Sequence, residues 1–249
     1  MENVPIIVVK HLTAGYRDFT LFNDISFHVN TKEIFVILGG SGCGKSTLLK
    51  HMTGLLTPQK GTIEILGRDI GSAGATQRLE ILRGIGVAFQ SGALFGSMTV
   101  LANVKLPLEE FSCLPAPAID TVARMKLELV GLGDSVDLMP DALSGGMKKR
   151  AALARAMALD PAIIFLDEPS AGLDPVTSAG LDRLIKELRS SLGITFVIVT
   201  HELDSIFSIA DRVIMLEKSV KGIIATGSPR SLKQKKEDPR VYNFFNRIP

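Results

Sequence analysis

A glycine-rich octapeptide set between an apolar run and a helix-forming run constrains this chain more than any other feature. Gly39-Gly40-Ser41-Gly42-Cys43-Gly44-Lys45-Ser46 follows the apolar residues 34–38 and precedes Thr47 and residues 48–52, which read as a helix. It fits G-x-x-x-x-G-K-[ST], the phosphate-cradling loop. The glycines let successive N–H groups turn inward on an anion; Lys45 reaches the β- and γ-phosphates; the Ser46 hydroxyl is placed to ligate Mg²⁺. The helix N-terminus adds a positive dipole end. A strand–loop–helix unit binding a nucleoside triphosphate is the expectation.

Bulk properties bound the rest. A chain of 249 residues with 46% hydrophobic and 22% charged residues can bury a sizeable core, as one large domain or two lobes. A net charge of +2 gives no support to a nucleic-acid partner. No apolar stretch reaches the ~18 to 20 residues that cross a bilayer, and the first residues lack a signal peptide's basic and apolar regions. The two cysteines, Cys43 and Cys113, form no metal or disulfide framework. They read as free thiols, which points to the cytosol.

Strand-like and helix-like segments alternate. Strands are expected at residues 6–9, 27–29, 35–38, 62–65, 86–89, 163–166, 195–200 and 213–217, several of them continuous apolar runs suited to burial on both faces. After Asp174 as N-cap and Pro175 at the first turn, Leu181, Leu184, Ile185, Leu188 and Leu192 define one helical face. From about 91 to 158 strand signals vanish, and residues 119–130 and 151–158 read as helices, so a helical insertion interrupts the sheet.

Residues 163–168, Ile-Ile-Phe-Leu-Asp-Glu, form an apolar strand ending in two acids. Ligands bind at the carboxyl ends of parallel strands. Asp167 is then placed to hold Mg²⁺, as a Walker-B aspartate does. Strand alternation turns Glu168 away from that role and frees it to orient or polarise an attacking water.

Leu143-Ser144-Gly145-Gly146-Met147-Lys148-Lys149-Arg150 supplies a second helix N-terminus suited to an anion. With one phosphate loop per chain, a second cradle makes sense if it serves a partner chain. On these motifs the chain resembles the ATP-binding-cassette (ABC) ATPases, up to about Lys235. The resemblance implies an α/β fold: a P-loop NTPase (RecA-like) core with a mostly parallel sheet, an N-terminal antiparallel β subdomain and an inserted α-helical subdomain. It implies one ATPase domain over 1–237, with the core lobe at about 1–90 and 158–237, the helical subdomain at about 91–157, and a tail at 238–249. The family signature has Gln where this chain has Met147.

The resemblance also implies residue roles. ATP and Mg²⁺ are the expected ligands, with residues Gly39 to Thr47 holding phosphate and Ser144, Gly145 and Gly146 closing on it from a second copy. Tyr16 matches the aromatic that stacks on adenine. Gln90 matches the glutamine touching Mg²⁺ and the water. Asp174 matches the loop that communicates across the dimer, here with an extra Gly172. His201 matches the switch histidine at the γ-phosphate; together with Glu168, Lys45 and Gln90 it makes the expected catalytic set. His11, His28 and His51 have no motif context.

Residues 89–95, the signature and residues 150–156 resemble the ATPase subunit of Mla/Mkl-type lipid transporters, a subgroup in which Met147 is typical. That implies a homodimer on the cytoplasmic face of the inner membrane, an integral-membrane permease (MlaE-like) docked at residues 91–100, an MCE-domain lipid-binding protein and a small STAS-domain subunit. In the tail, Val241, Phe244, Phe245 and Ile248 make one apolar helical face, which must dock on its own domain or on a neighbouring subunit.

Overall fold

The computed structural model describes residues 4–16 and 19–248. Strands β1 (Pro5–Tyr16), β2 (Phe19–Asn30), β4 (Lys60–Ile65) and the short β5 (Arg68–Asp69) form an antiparallel sheet in the order β2-β1-β4-β5. A six-stranded sheet runs β10-β9-β3-β8-β7-β6, built from β3 (Ile34–Gly39), β6 (Ile85–Ala88), β7 (Ile163–Asp167), β8 (Thr195–Val199), β9 (Arg212–Glu217) and β10 (Gly222–Gly227). Its strands are parallel except the edge strand β10. The helices are α1 (Lys45–Met52), α2 (Ala75–Arg83), α3 (Val100–Phe111), α4 (Ala116–Leu129), α5 (Gly145–Ala156), α6 (Pro175–Leu192), α7 (Leu203–Ile209), α8 (Pro229–Gln234) and α9 (Pro239–Asn246). Among the described residues none is long and apolar enough to cross a membrane.

The continuous apolar runs are explained by two cores, one on each face of the large sheet. Phe35 and Ile37 of β3, Ile163 and Phe165 of β7, and Val197 and Val199 of β8 pack toward the antiparallel sheet and α1. Their alternates, Val36, Leu38, Ile164, Leu166, Phe196 and Ile198, pack toward the helices that cover the other face. Period-two alternation therefore sorts one hydrophobic string into two buried faces.

Several boundaries differ from expectation. Helix α5 begins at Gly145, not near Ala151, because Ser144 caps a start made of two poor helix formers, Gly145 and Gly146. Strand β1 runs on to Tyr16 through register shifts that break its alternation. Edge strand β10 and helices α2, α3, α7 and α8 carried too little pattern: β10 is bounded by glycines, and α3 holds Pro107 inside it. Tail helix α9 docks on its own domain, with Val241 and Phe245 fully buried in the helical core and Phe245 edge-on to Phe207 of α7.

Candidate functional site: a phosphate cradle beside two carboxylates

Strands β3, β8, β7 and β6 end level with one another, because Ile37 pairs with Val199, Asp167 with Val199, and Ala88 with Leu166. Residues just past those ends therefore meet at one edge. The loop after β3 fits only glycine at two points. A Cβ on Gly39 (φ +154°) would lie 2.5 Å from the Leu216 carbonyl oxygen, and one on Gly44 (φ +99°) would lie 2.6 Å from the Phe22 ring. Helix α1 starts at Lys45 with no side-chain cap, leaving its first N–H groups available to an anion. The Lys45 ammonium folds back over the loop, donating to the carbonyls of Gly39 (2.9 Å) and Gly40 (3.2 Å). Gly40 and Ser41 are exposed on the loop and Thr47 is buried behind it. Cys43 contributes backbone alone: its thiol is buried in the core under Gly39, and burial pushes its pKa up.

The Ser46 hydroxyl donates to Asp167 Oδ1 at 3.1 Å. Burial, with the neighbouring Glu168 charge, raises the Asp167 pKa, while the Ser46 hydrogen bond, Lys50 and Lys45 pull it back. Because β7 ends at Asp167, Glu168 is not separated from it by strand alternation. A left-handed backbone (φ +48°) turns it instead, a conformation that costs a side-chain-bearing residue on the order of 1–3 kcal/mol. The Glu168 N–H donates to the Val199 carbonyl at 2.8 Å, and His201 Nδ1 lies 2.8 Å from Glu168 Oε1. Glu168 Oε2 is buried without a hydrogen-bond partner among the described residues, an acceptor free to take a water proton.

Gln90 follows β6 by two residues and lines, with Ser46, Lys50, Asp167 and Gly172, an open cleft of about 630 Å³. Six expected residues thus come to one edge: Lys45, Ser46, Gln90, Asp167, Glu168 and His201. Ser144, Gly145 and Gly146 do not line this cleft. Ser144 accepts the Met147 N–H at 3.3 Å, and a Cβ on Gly146 would sit 2.5 Å from Thr177 Cγ2. Met147 is partly buried against the helical core, a packing role that a thioether fills and an amide would not. Asp174 spends its carboxylate on the start of α6, accepting from the Val176 and Thr177 N–H groups at 3.0 Å and from the Thr177 hydroxyl at 2.5 Å. Tyr16 ends β1, but its side chain lies outside the described residues. One residue that the sequence reading passed over, Lys149, donates to the main-chain carbonyls of both Gln90 and Glu168. Its place one turn into the helix after the signature was the available signal.

A family model described as ABC transporter matches residues 22–171. The chain is 44% identical over 236 residues, covering 95% of itself and 86% of the relative, to the intermembrane phospholipid transport system ATP-binding protein MlaF of Escherichia coli K12. It is 41% identical over 240 residues, 96% of itself and 68% of the relative, to the probable ribonucleotide transport ATP-binding protein mkl of Mycobacterium leprae. Among solved structures, a dimeric post-hydrolysis ATP-binding cassette bound to ADP and Pi superposes with a TM-score of 0.79 at 27% identity, over 89% of this chain and 98% of that one.

Proposed function

This chain belongs to the ABC transporter family, and from that premise we propose that it is the ATP-hydrolysing subunit of a phospholipid transporter, working as a homodimer beneath a membrane permease. The observation that carries the reading is a division of labour. The cradle, both acids and His201 converge in one protomer, while Ser144–Gly146 form a capped helix start that lines no part of that cleft. A second copy placed head-to-tail would bring that start to the triphosphate.

The hard oxygen pair Ser46 Oγ and Asp167 Oδ1, with Gln90 beside it, fits Mg²⁺ with retained waters. When bound, the ion neutralises charge on the β- and γ-phosphates. Lys45 leaves the Gly39 and Gly40 carbonyls for the phosphates, and the N–H groups of residues 39–47 bind their oxygens. Glu168 takes the proton of the attacking water at Oε2, while His201 fixes the carboxylate through Oε1. The bond broken is between the γ-phosphorus and the bridging oxygen, yielding ADP and phosphate. Tyr16 stacks on the base, and Asp174 relays closure across the dimer. In this reading the core lobe spans about 1–90 and 158–237, and the helical subdomain, about 91–157, carries the signature.

For the permease, an apolar groove of about 690 Å³ between α2, β6 and α3 supports the docking site; Leu79, Leu82, Phe95 and Phe111 line it and are exposed. A short amphipathic helix of a membrane protein would bury them. Likeness to MlaF, named for intermembrane phospholipid transport, supports phospholipid cargo; the inner-membrane cytoplasmic face and the MCE-domain and STAS-domain partners are part of the proposal and rest on the motif resemblance. The mkl relative, named for ribonucleotides, favours a second reading in which the cargo differs and the ATPase does not. Two measurements test the reading. Turnover should fall on dilution into the monomer range, and Ser144→Ala should slow it while ATP binding by the cradle persists; a competent monomer overturns the dimer. Affinity capture of the full chain from solubilised membranes should bring a multi-span permease with bound phospholipid, and capture of the permease with other cargo selects the second reading.

A further inference from the structure

We propose that Lys149 is a positioning residue for hydrolysis: its ammonium joins the main chain of Gln90 to that of Glu168 and so sets where Glu168 meets the attacking water. Lys149 stands on α5, five residues beyond the cap Ser144, and Nζ donates to the Gln90 carbonyl and, at 3.1 Å, to the Glu168 carbonyl. Glu168 lies just past the end of β7 in a left-handed conformation, so the β7–β8 ladder reaches its N–H and leaves its carbonyl to other partners. Three bonds hold its peptide planes: its N–H to Val199 (2.8 Å), and its carbonyl accepting from Lys149 and from the Ala171 N–H (3.2 Å). The Lys149 bond alone comes from a different lobe of the site. Releasing that carbonyl would let the Glu168 Cα shift and carry the carboxylate with it, and a productive geometry tolerates only about 0.5 Å or 10–20° of error.

The other end of the bridge is equally built. Gly92 (φ +76°) and Ala93 (φ +47°) turn the chain after Gln90 toward α5, where Arg155 donates to their carbonyls at 2.9 and 2.7 Å. Two cations of one helix therefore hold residues 90–93, and Lys149 alone extends the grip to Glu168. Lys149 lines a small apolar space together with Ala152, Leu166 and Leu181. Burial lowers its pKa, while the carboxylates of Glu168 and Asp167 oppose that. Since Ser144 caps α5, contact of a second copy with that helix start has a direct mechanical route to Glu168.

The inference rests on Glu168 being the carboxylate that handles water, and the test keeps the two apart. In the full-length chain, steady-state MgATP turnover, ATP affinity and melting temperature would be measured for Lys149→Met, Lys149→Arg and Glu168→Gln. Lys149→Met keeps the stem and removes both hydrogen bonds; kcat should fall about tenfold, about 1.4 kcal/mol of barrier, with ATP affinity unchanged. Lys149→Arg retains a cation with several donors and should recover most of that loss. If Lys149→Met does not fold, Lys149→Gln, which keeps one donor and loses the charge, is read by the same criterion. A kcat within about twofold of the parent, or a loss confined to ATP affinity, overturns the proposal. Normal turnover by Glu168→Gln would instead remove the underlying role of Glu168, whatever the Lys149 variants do.

Discussion

Glu168 concentrates strain, burial and an unpaired acceptor oxygen in one side chain, and those three properties set its expected behaviour. Glu168→Gln keeps shape and the contact to His201 but abolishes the base. Turnover should drop by about 10² or more, with ATP affinity intact in equilibrium binding; a variant of normal kcat would strip Glu168 of its role. The meeting of Ser46 and Asp167 beside Lys45 was legible in the sequence, because each stands in a short motif at the end of an apolar strand. The geometry that gives Asp167 and Glu168 different partners was not legible, since strand alternation does not extend to Glu168, whose left-handed backbone turns it. Lys149 was hidden for a different cause: its partners are main-chain carbonyls 59 and 19 residues away, which no local pattern encodes.

At the scale of elements, α6 was the most readable, with Asp174, Pro175 and four of the five expected apolar residues agreeing; Leu192, in the last turn, is exposed instead. The Asp174 hydrogen bonds, led by that from the Thr177 hydroxyl, hold its pKa below the ordinary 3.8. A depressed carboxylate contributes stability that is present above the unfolded value and lost as pH falls through the folded one. Asp174→Asn keeps a cap but no charge, so its urea midpoint should lie below the parent's at pH 7, and the gap should close as pH drops below about 4. A gap independent of pH would mean the charge does nothing for α6. Where elements were missed, the signal was weak for stated reasons: α5 opens with two glycines, and β10 is a glycine-bounded edge.

For the whole molecule, α9 belongs to the core that covers one face of the large sheet. Phe245→Ala should therefore cost about 3–5 kcal/mol, read as a lowered urea midpoint. An unchanged midpoint would mean that the tail packs on a neighbour in solution, the alternative its apolar face also allowed. The amino-acid sequence by itself determined that strand, phosphate loop and helix follow one another, that the paired acids end a buried strand, and that the signature opens a helix, because each depends on contacts within a few residues. Only the tertiary structure decided which face of each apolar strand meets which core, that Glu168 reaches His201 across adjacent strands, and that Ser144 stands apart from its own cradle. Those outcomes depend on register between segments more than a hundred residues apart in places, as for β3 beside β8, and on space that glycine alone leaves open, and neither is written in local periodicity.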